Sequence, residues 1–366
     1  MYKYSHFIPE NIAPSGTKTI GAYNSVGKKV CDIPLGNLTP PKSTKLYSFG
    51  AISDVHISSS DNYKTSHEDF QNALTYIEIS DCSFTCICGD LTEHGYAAQL
   101  AEYKSLVDTY ATKPIYAMAG NHEHNDLRGG IVEQYIGKPL YYSFGINKQG
   151  QCVVSDVNKT PIKYGDTVND VFIMVGHAGG WATSNWEAGK QFEEGELQWL
   201  YETLEANRNK RCFVFCHVFP HKDGVGNAKG VYTNDMWTSA VGTVFENLMK
   251  HYKNTVLFHG HSHLKFALQA VDKKANYSAA VGYRSVHIPS LSVPRDIAGS
   301  SYTTIYAESE GYIVDVYDNF VILNGRDFID NDADGHILPI ATYLIDTTLQ
   351  TIEANTFKDS TGIIKT

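Results

Sequence analysis

The stretch FTCICGDLTEHG, residues 84–95, decides how the chain folds. Its first half is a short run of apolar and small residues bounded by glycine, which reads as a strand buried on both faces. The run stops at Gly89-Asp90, so a carboxylate stands at the C-terminal end of the strand, where open α/β sheets bind their ligands. The same pattern repeats outward. Apolar runs at residues 47–52, 115–119, 171–175, 212–216 and 256–259 are predicted strands, and stretches at about residues 66–79, 96–110, 193–206 and 234–251 are predicted helices, an α/β alternation. In the last helix Met236, Ala240, Val244 and Leu248 recur every fourth residue and mark one buried face. Beyond residue 264 the helical signal fades. Residues 265–271, 312–317 and 320–323 are predicted strands, the last two joined as a hairpin by Asp318 and Asn319, so the C-terminal part is expected to be β-rich.

Five of the predicted strands end in metal-ligand chemistry. In order the motifs are DVH (Asp54, His56), GDLTEHG (Asp90), GNHE (Asn121, His122), CHVFPH (His217) and GHSH (His261, His263). Carboxylate, imidazole and amide oxygen without thiolate suit hard-to-borderline divalent ions such as Mn, Fe, Zn, Ni or Mg. Side chains two residues apart on an extended segment point the same way, so Asp54 and His56 are expected to share a pocket, as are His261 and His263. The separations from Asp54 to Asp90 and from Asp90 to Asn121 each match about one βαβ unit, which allows the motifs to lie side by side.

In this order DxH, GDxxxxG, GNHE, a lone His after a strand and GHxH resemble the calcineurin-like metallophosphoesterases, over about residues 47–264. The resemblance implies a four-layer α/β/β/α sandwich holding two divalent cations. One would be bound by Asp54, His56, Asp90 and His263, the other by Asp90, Asn121, His217 and His261, with Asp90 bridging the pair. It further implies that water held between the ions attacks the phosphorus of a phosphate mono- or diester, with His122 as general acid or transition-state stabiliser. Glu93 is expected to orient His122, with Glu123 as a second candidate, and Asn121 and His94 are placed against the substrate. Two departures matter. Protein-phosphatase relatives carry Arg where His94 stands, and purple acid phosphatases carry a metal-bound Tyr where Glu93 stands; the GDLTE wording is closer to the cyclic-nucleotide phosphodiesterase branch.

Composition sets the wider bounds. The 366 residues are 42% apolar and 19% charged, as in a packed globular protein. With 30 basic against 40 acidic residues the net charge is −10, which disfavours duplex nucleic acid as a partner, although a nuclease of the same superfamily is a third reading. The cysteines are odd in number and most sit in apolar runs, which favours free thiols in a reducing compartment, and Cys86 and Cys88 are expected to pack instead of binding metal. No signal peptide or membrane-spanning run is legible, so the expected location is cytoplasmic, or virion-associated if the chain is phage-encoded.

Residues 1–44 are rich in Gly, Pro, Ser, Thr and Asn, hold a candidate hairpin near residues 24–27, and end in Pro40-Pro41. They read as an arm and linker ahead of a domain spanning residues 45–366. From this arm comes a second reading in a different class: a virion or phage-tail structural protein that carries a phosphoesterase domain and docks through residues 1–44. Other features are discounted. His177, His221, His259 and His287 read as satisfied core or surface histidines, and Arg284 and Arg295 as surface ion pairs. DNDADG (330–335) opens like a calcium loop but has Ala341 where the bidentate acid should stand, and Trp181 and Trp186 read equally as a flap or as core.

Overall fold

In the computed structural model, alternate residues of the apolar runs point to opposite faces of two sheets, and this sorts the chain into layers. The structure describes residues 19–23, 29–34, 44–60, 65–124, 130–156, 158–176, 192–218, 225–226, 240–270, 277–278, 282–298, 301–305, 308–329 and 339–365. In chain order the elements are β1 (Thr19–Tyr23), β2 (Lys29–Pro34), β3 (Tyr47–Ile52), α1 (Ser66–Ile79), β4 (Cys82–Cys88), α2 (Ala97–Tyr110), β5 (Ile115–Met118), α3 (Gly130–Ile136), β6 (Tyr142–Ile146), β7 (Cys152–Asp156), β8 (Asp170–Val175), α4 (Glu196–Ala206), β9 (Arg211–Cys216), α5 (Ala240–His251), β10 (Thr255–His259), β11 (Tyr277–Ser278), β12 (Arg284–His287), β13 (Arg295–Ala298), β14 (Ser301–Thr304), β15 (Glu310–Val316), β16 (Phe320–Asp327) and β17 (Pro339–Asp346).

One sheet has the order β17-β16-β15-β3-β4-β5 and the other β11-β12-β10-β9-β8-β6-β7. Phe49, Phe84, Phe172, Phe213 and Phe258 point inward from both sheets into one core, where Phe49 stacks on Phe84 at 5.4 Å and meets Phe172 edge-on at 5.2 Å. Each such buried ring contributes about 1.5–3 kcal/mol by leaving water. The opposite residues of the same strands face helices. Ile52 and Ile87 pack with Phe70, Leu74 and Ile77 of α1, while Val171, Ile173 and Val214 pack with Leu197 and Leu200 of α4 and Leu248 of α5. Helix, sheet, sheet and helix are thus the four layers expected. α1 forms where predicted because Phe70, Ala73, Leu74 and Ile77 make one apolar stripe and Glu68 and Asp69 occupy the electropositive first turn.

Three expectations need comment. Of the strand expected at residues 265–271, the described residues 265–270 are not extended: Phe266–Ala270 is a 3-10 helix, because the Phe266 N–H is taken by the Glu310 carboxylate at 2.8 Å and not by a neighbouring strand. β1 and β2 pair antiparallel around the predicted turn, which itself lies outside the described residues, and β1 runs beside β17. The six cysteines outside residues 1–43 are all free, and burial pushes the Cys86 and Cys88 thiols well up, in keeping with a packing role. Among the described residues no helix is long and apolar enough to cross a membrane.

At the starting ends of the strands a buried network ties the sheets together. Arg211 donates to Asp170 Oδ1, the Tyr317 carbonyl and Thr347 Oγ1 at 2.7–2.8 Å, and Tyr47 donates its hydroxyl to Asp170 Oδ2 at 2.7 Å. Replacing Arg211 with Met leaves the buried Asp170 carboxylate without its charge partner, so the expected loss in urea denaturation is about 3–5 kcal/mol, with partial recovery when Asp170→Asn is added. A loss below about 1 kcal/mol, the range of an exposed pair, would contradict this.

Candidate metal centre

The predicted ligands sit just past the C-terminal ends of β3, β4, β5, β9 and β10. The chain does not continue there as extended strand. Among the described residues seven non-glycines have positive φ, and five of them are Asp54, His56, Asp90, His261 and His263 (φ 50° to 71°). Asp and His tolerate this left-handed region better than most residues, yet it is disfavoured and is retained where surrounding structure enforces it. Asp54 and His56 therefore do share a pocket, but through two left-handed turns and not through strand alternation.

The seven side chains converge. One ligand atom from each of Asp54, His56, Asp90 and His263 falls within a 4.8 Å cluster, and the same holds for Asp90, His217 and His261. Asp90 belongs to both. Asn121 joins the second group through its Oδ1, 2.9 Å from His261 Nδ1. His56 Nε2 lies 3.1 Å from His263 Nε2, and His263 Nε2 lies 2.9 Å from Asp54 Oδ1. Two donors each about 2.0–2.2 Å from one ion stand roughly 3 Å apart, so these spacings suit a shared cation.

The environment fits cations as well. His217 Nε2 and Asp90 Oδ2 lie 2.9 Å apart, both buried, without the alignment of a hydrogen bond, so each is left unsatisfied. Buried polar atoms in that state are rare and call for an explanation. Burial opposes charge on Asp54, Asp90, His217, His261 and His263. The Asp54 and Asp90 carboxylates nonetheless stay well below the usual carboxylate range, because His263 and His217 neighbour Asp54, and His217 and His122 neighbour Asp90. For His217 burial lowers the pKa, but Asp90 and Asp54 outweigh it and raise it to about 9. Burial instead lowers His263 to about 3 and holds His261 well down, so these two imidazoles are neutral, the form that ligates metal.

Glycine precedes Asp90, Asn121 and His261 for a steric reason. A Cβ on Gly120 would lie 2.2 Å from Asp90 Oδ1, and one on Gly260 would lie 2.0 Å from Ser53 Oγ and 2.4 Å from Asp54 Oδ2. The loops approach too closely for any side chain.

Around this group stand the other predicted residues. The His122 N–H donates to Asp90 Oδ1 at 3.0 Å, its Nδ1 lies 2.7 Å from the Glu93 carbonyl, and its Nε2 lies 3.9 Å from Asp90 Oδ2. Glu93 Oε2 is 2.9 Å from His56 Nδ1 and 3.5 Å from His122 Nδ1, so this carboxylate touches both rings. Glu123 instead accepts from the Thr92 and Gly120 N–H groups, each at 2.8 Å, and burial raises its pKa to about 7, with Asp90 adding to the rise. His94 stays outside all three clusters of ligand-type side chains: its N–H goes to Gln99 Oε1 and its ring faces Tyr96 at 5.1 Å. His259 and His287 are fully buried, bonded to Ser285 and Ser262, as core histidines. His177, His221, Trp181, Trp186 and the DNDADG stretch lie outside the described residues.

The sequence profile of the calcineurin-like phosphoesterases matches residues 47–265, more than half of the chain and every motif above. The chain belongs to that family. Among solved structures, a dimetal phosphatase from Danio rerio shares 13% identity over 83% of this chain and 100% of that chain, with a TM-score of 0.54, which places the two in the same fold. A purple acid phosphatase from yellow lupin (Lupinus luteus) seeds shares 13% identity over 84% of this chain and 55% of its own, with a TM-score of 0.48. Vps29 from Chaetomium thermophilum shares 10% identity over 84% of this chain and 100% of its own, with a TM-score of 0.37. No curated protein matches this chain in sequence. The family and the convergent donors together point to a binuclear divalent metal site in a hydrolase.

Proposed function

We propose that the chain hydrolyses a phosphate mono- or diester with water as nucleophile, on two divalent cations held by Asp54, His56, Asp90 and His263 and by Asp90, Asn121, His217 and His261. The observation that carries this reading is the membership of Asp90 in both donor groups, since two adjacent cations repel and a shared carboxylate relieves that repulsion. Bound there, such ions supply Lewis acidity toward phosphoryl oxygens and lower the pKa of water.

The remaining chemistry falls to the chain's own groups. A backbone carbonyl only accepts, so the Glu93 carbonyl keeps a proton on His122 Nδ1 and turns Nε2 toward Asp90 and the pocket. Burial opposes charge on this ring, but Asp90 and Glu93 outweigh it and raise the His122 pKa, so the ring also takes up a proton at Nε2 and in that imidazolium form can pass it to the leaving oxygen. The Glu93 carboxylate orients the His56 and His122 rings. Asn121 presents its amide oxygen beside His261, and its NH₂ group is available to a phosphate oxygen.

The test is release of p-nitrophenol from p-nitrophenyl phosphate and bis(p-nitrophenyl) phosphate after chelator dialysis. Turnover of at least one ester is expected on adding Mn²⁺, and its loss on adding EDTA. Absence of turnover of both esters with Mn²⁺, Zn²⁺, Ni²⁺, Mg²⁺ and Fe²⁺ alike refutes the proposal.

A further inference from the structure

Beyond the stretch matched by the family profile, one segment touches two of the ligand loops. It follows β12 and runs from Ile288 to Arg295. The Ile288 and Arg295 N–H groups donate to the carbonyls of His259 and His263, both at 2.7 Å, on either side of the GHSH turn. On the DVH loop it takes three consecutive carbonyls. Leu291 N–H donates to Ser53 O at 3.0 Å, Ser290 Oγ to Asp54 O at 2.9 Å, and Ser292 Oγ to Val55 O at 2.6 Å.

The two serine bonds fall where the loop most needs them. The carbonyls of Asp54 and Val55 belong to the two peptide units that join Asp54 to His56, and both of those residues are left-handed. Peptide groups turned that way leave the strand ladder, so their carbonyls must find partners elsewhere. Ser290 and Ser292 are fully buried and supply them. The direction of the first bond is set, because Ser290 Oγ already accepts the Val293 N–H at 3.0 Å and has its own proton left for Asp54 O.

We infer that Ser290 and Ser292 are positioning residues: by pinning the two peptide units between Asp54 and His56, they aim both side chains at the cation position these share with His263. The inference rests on the two-cation reading above. Outer-shell partners of this kind typically alter metal affinity about 10- to 100-fold when removed.

The experiment is calorimetric titration of chelator-dialysed protein with Mn²⁺ alone, on wild type, Ser290→Ala/Ser292→Ala, the milder Ser292→Ala, and Val286→Ala. Val286 is a buried core residue of β12 that serves as a control for mere destabilisation. Wild type is expected to bind two ions. The serine variants should lose about 10-fold or more in affinity for one of them and keep the other, and Val286→Ala should keep both while its Tm falls. Wild-type affinity at both positions in the serine variants overturns the inference, as does equal weakening by Val286→Ala at a matched Tm loss. A wild type that binds no Mn²⁺ removes the two-cation reading and this inference with it, whereas two ions in wild type and unchanged serine variants remove the serine role alone.

Discussion

Asp90→Asn is expected to take the protein from two bound divalent ions to one or none, and to lower kcat/KM by well over about 100-fold, the upper range for an outer-shell loss. Asn keeps the shape of the side chain and can still accept the His122 N–H at Asp90 Oδ1, so the backbone around it has no reason to move. What disappears is the negative charge between two donor groups, beside His217 Nε2 at 2.9 Å. Metal analysis by mass spectrometry alongside ester hydrolysis decides the matter. A variant that holds two ions and works within about tenfold of wild type contradicts a bridging role for this carboxylate.

His122→Ala should separate chemistry from metal binding. The His122 ring is held through Nδ1 by the Glu93 carbonyl, and no ligand in either four-residue set is replaced, so metal content should be unchanged. Loss of a general acid costs about 10² to 10⁴ in kcat when the leaving group needs its proton. An alkyl phosphate ester has such a leaving group; p-nitrophenolate departs as a stable anion and needs it far less. The expected pattern is therefore a large fall in kcat for the alkyl ester and a smaller one for the p-nitrophenyl ester. Equal falls on both would make His122 a stabiliser of the phosphate and not a proton donor, and no fall on either would remove it from the mechanism.

The inner strands were legible because both faces of each are buried. Continuous apolar runs at residues 47–52 and 212–216 become β3 and β9, and the stripe of α1 is visible as Phe70, Ala73, Leu74 and Ile77. The hairpin of β6 and β7 was not legible. Its turn depends on the Asn147 side chain accepting the Gln149 and Gln151 N–H groups and on left-handed Gly150, and the Asn-Lys-Gln-Gly stretch between two apolar runs was the available signal. The identities of the convergent residues were readable from motif order, but their backbone geometry was not. Left-handed φ at Asp54 or His263 is imposed by partners far along the chain, such as Ser290 and Arg295, and no local pattern encodes it. The role expected for His94 followed from alignment by motif alone, and its ring lies against Tyr96 because the chain turns into α2 immediately afterwards.

The donors are divided between the halves of the sandwich: Asp54, His56, Asp90 and Asn121 follow strands of one sheet, and His217, His261 and His263 follow strands of the other. The spacing between those two sets is therefore not a local property of any loop. It is gauged by the filling between the sheets, and rings such as Phe49, Phe172 and Phe213 serve as the shim that sets how far apart the two jaws stand. Thinning that filling would misalign the jaws without altering a single residue they carry, so part of the tuning of this centre resides in aromatic packing well below it.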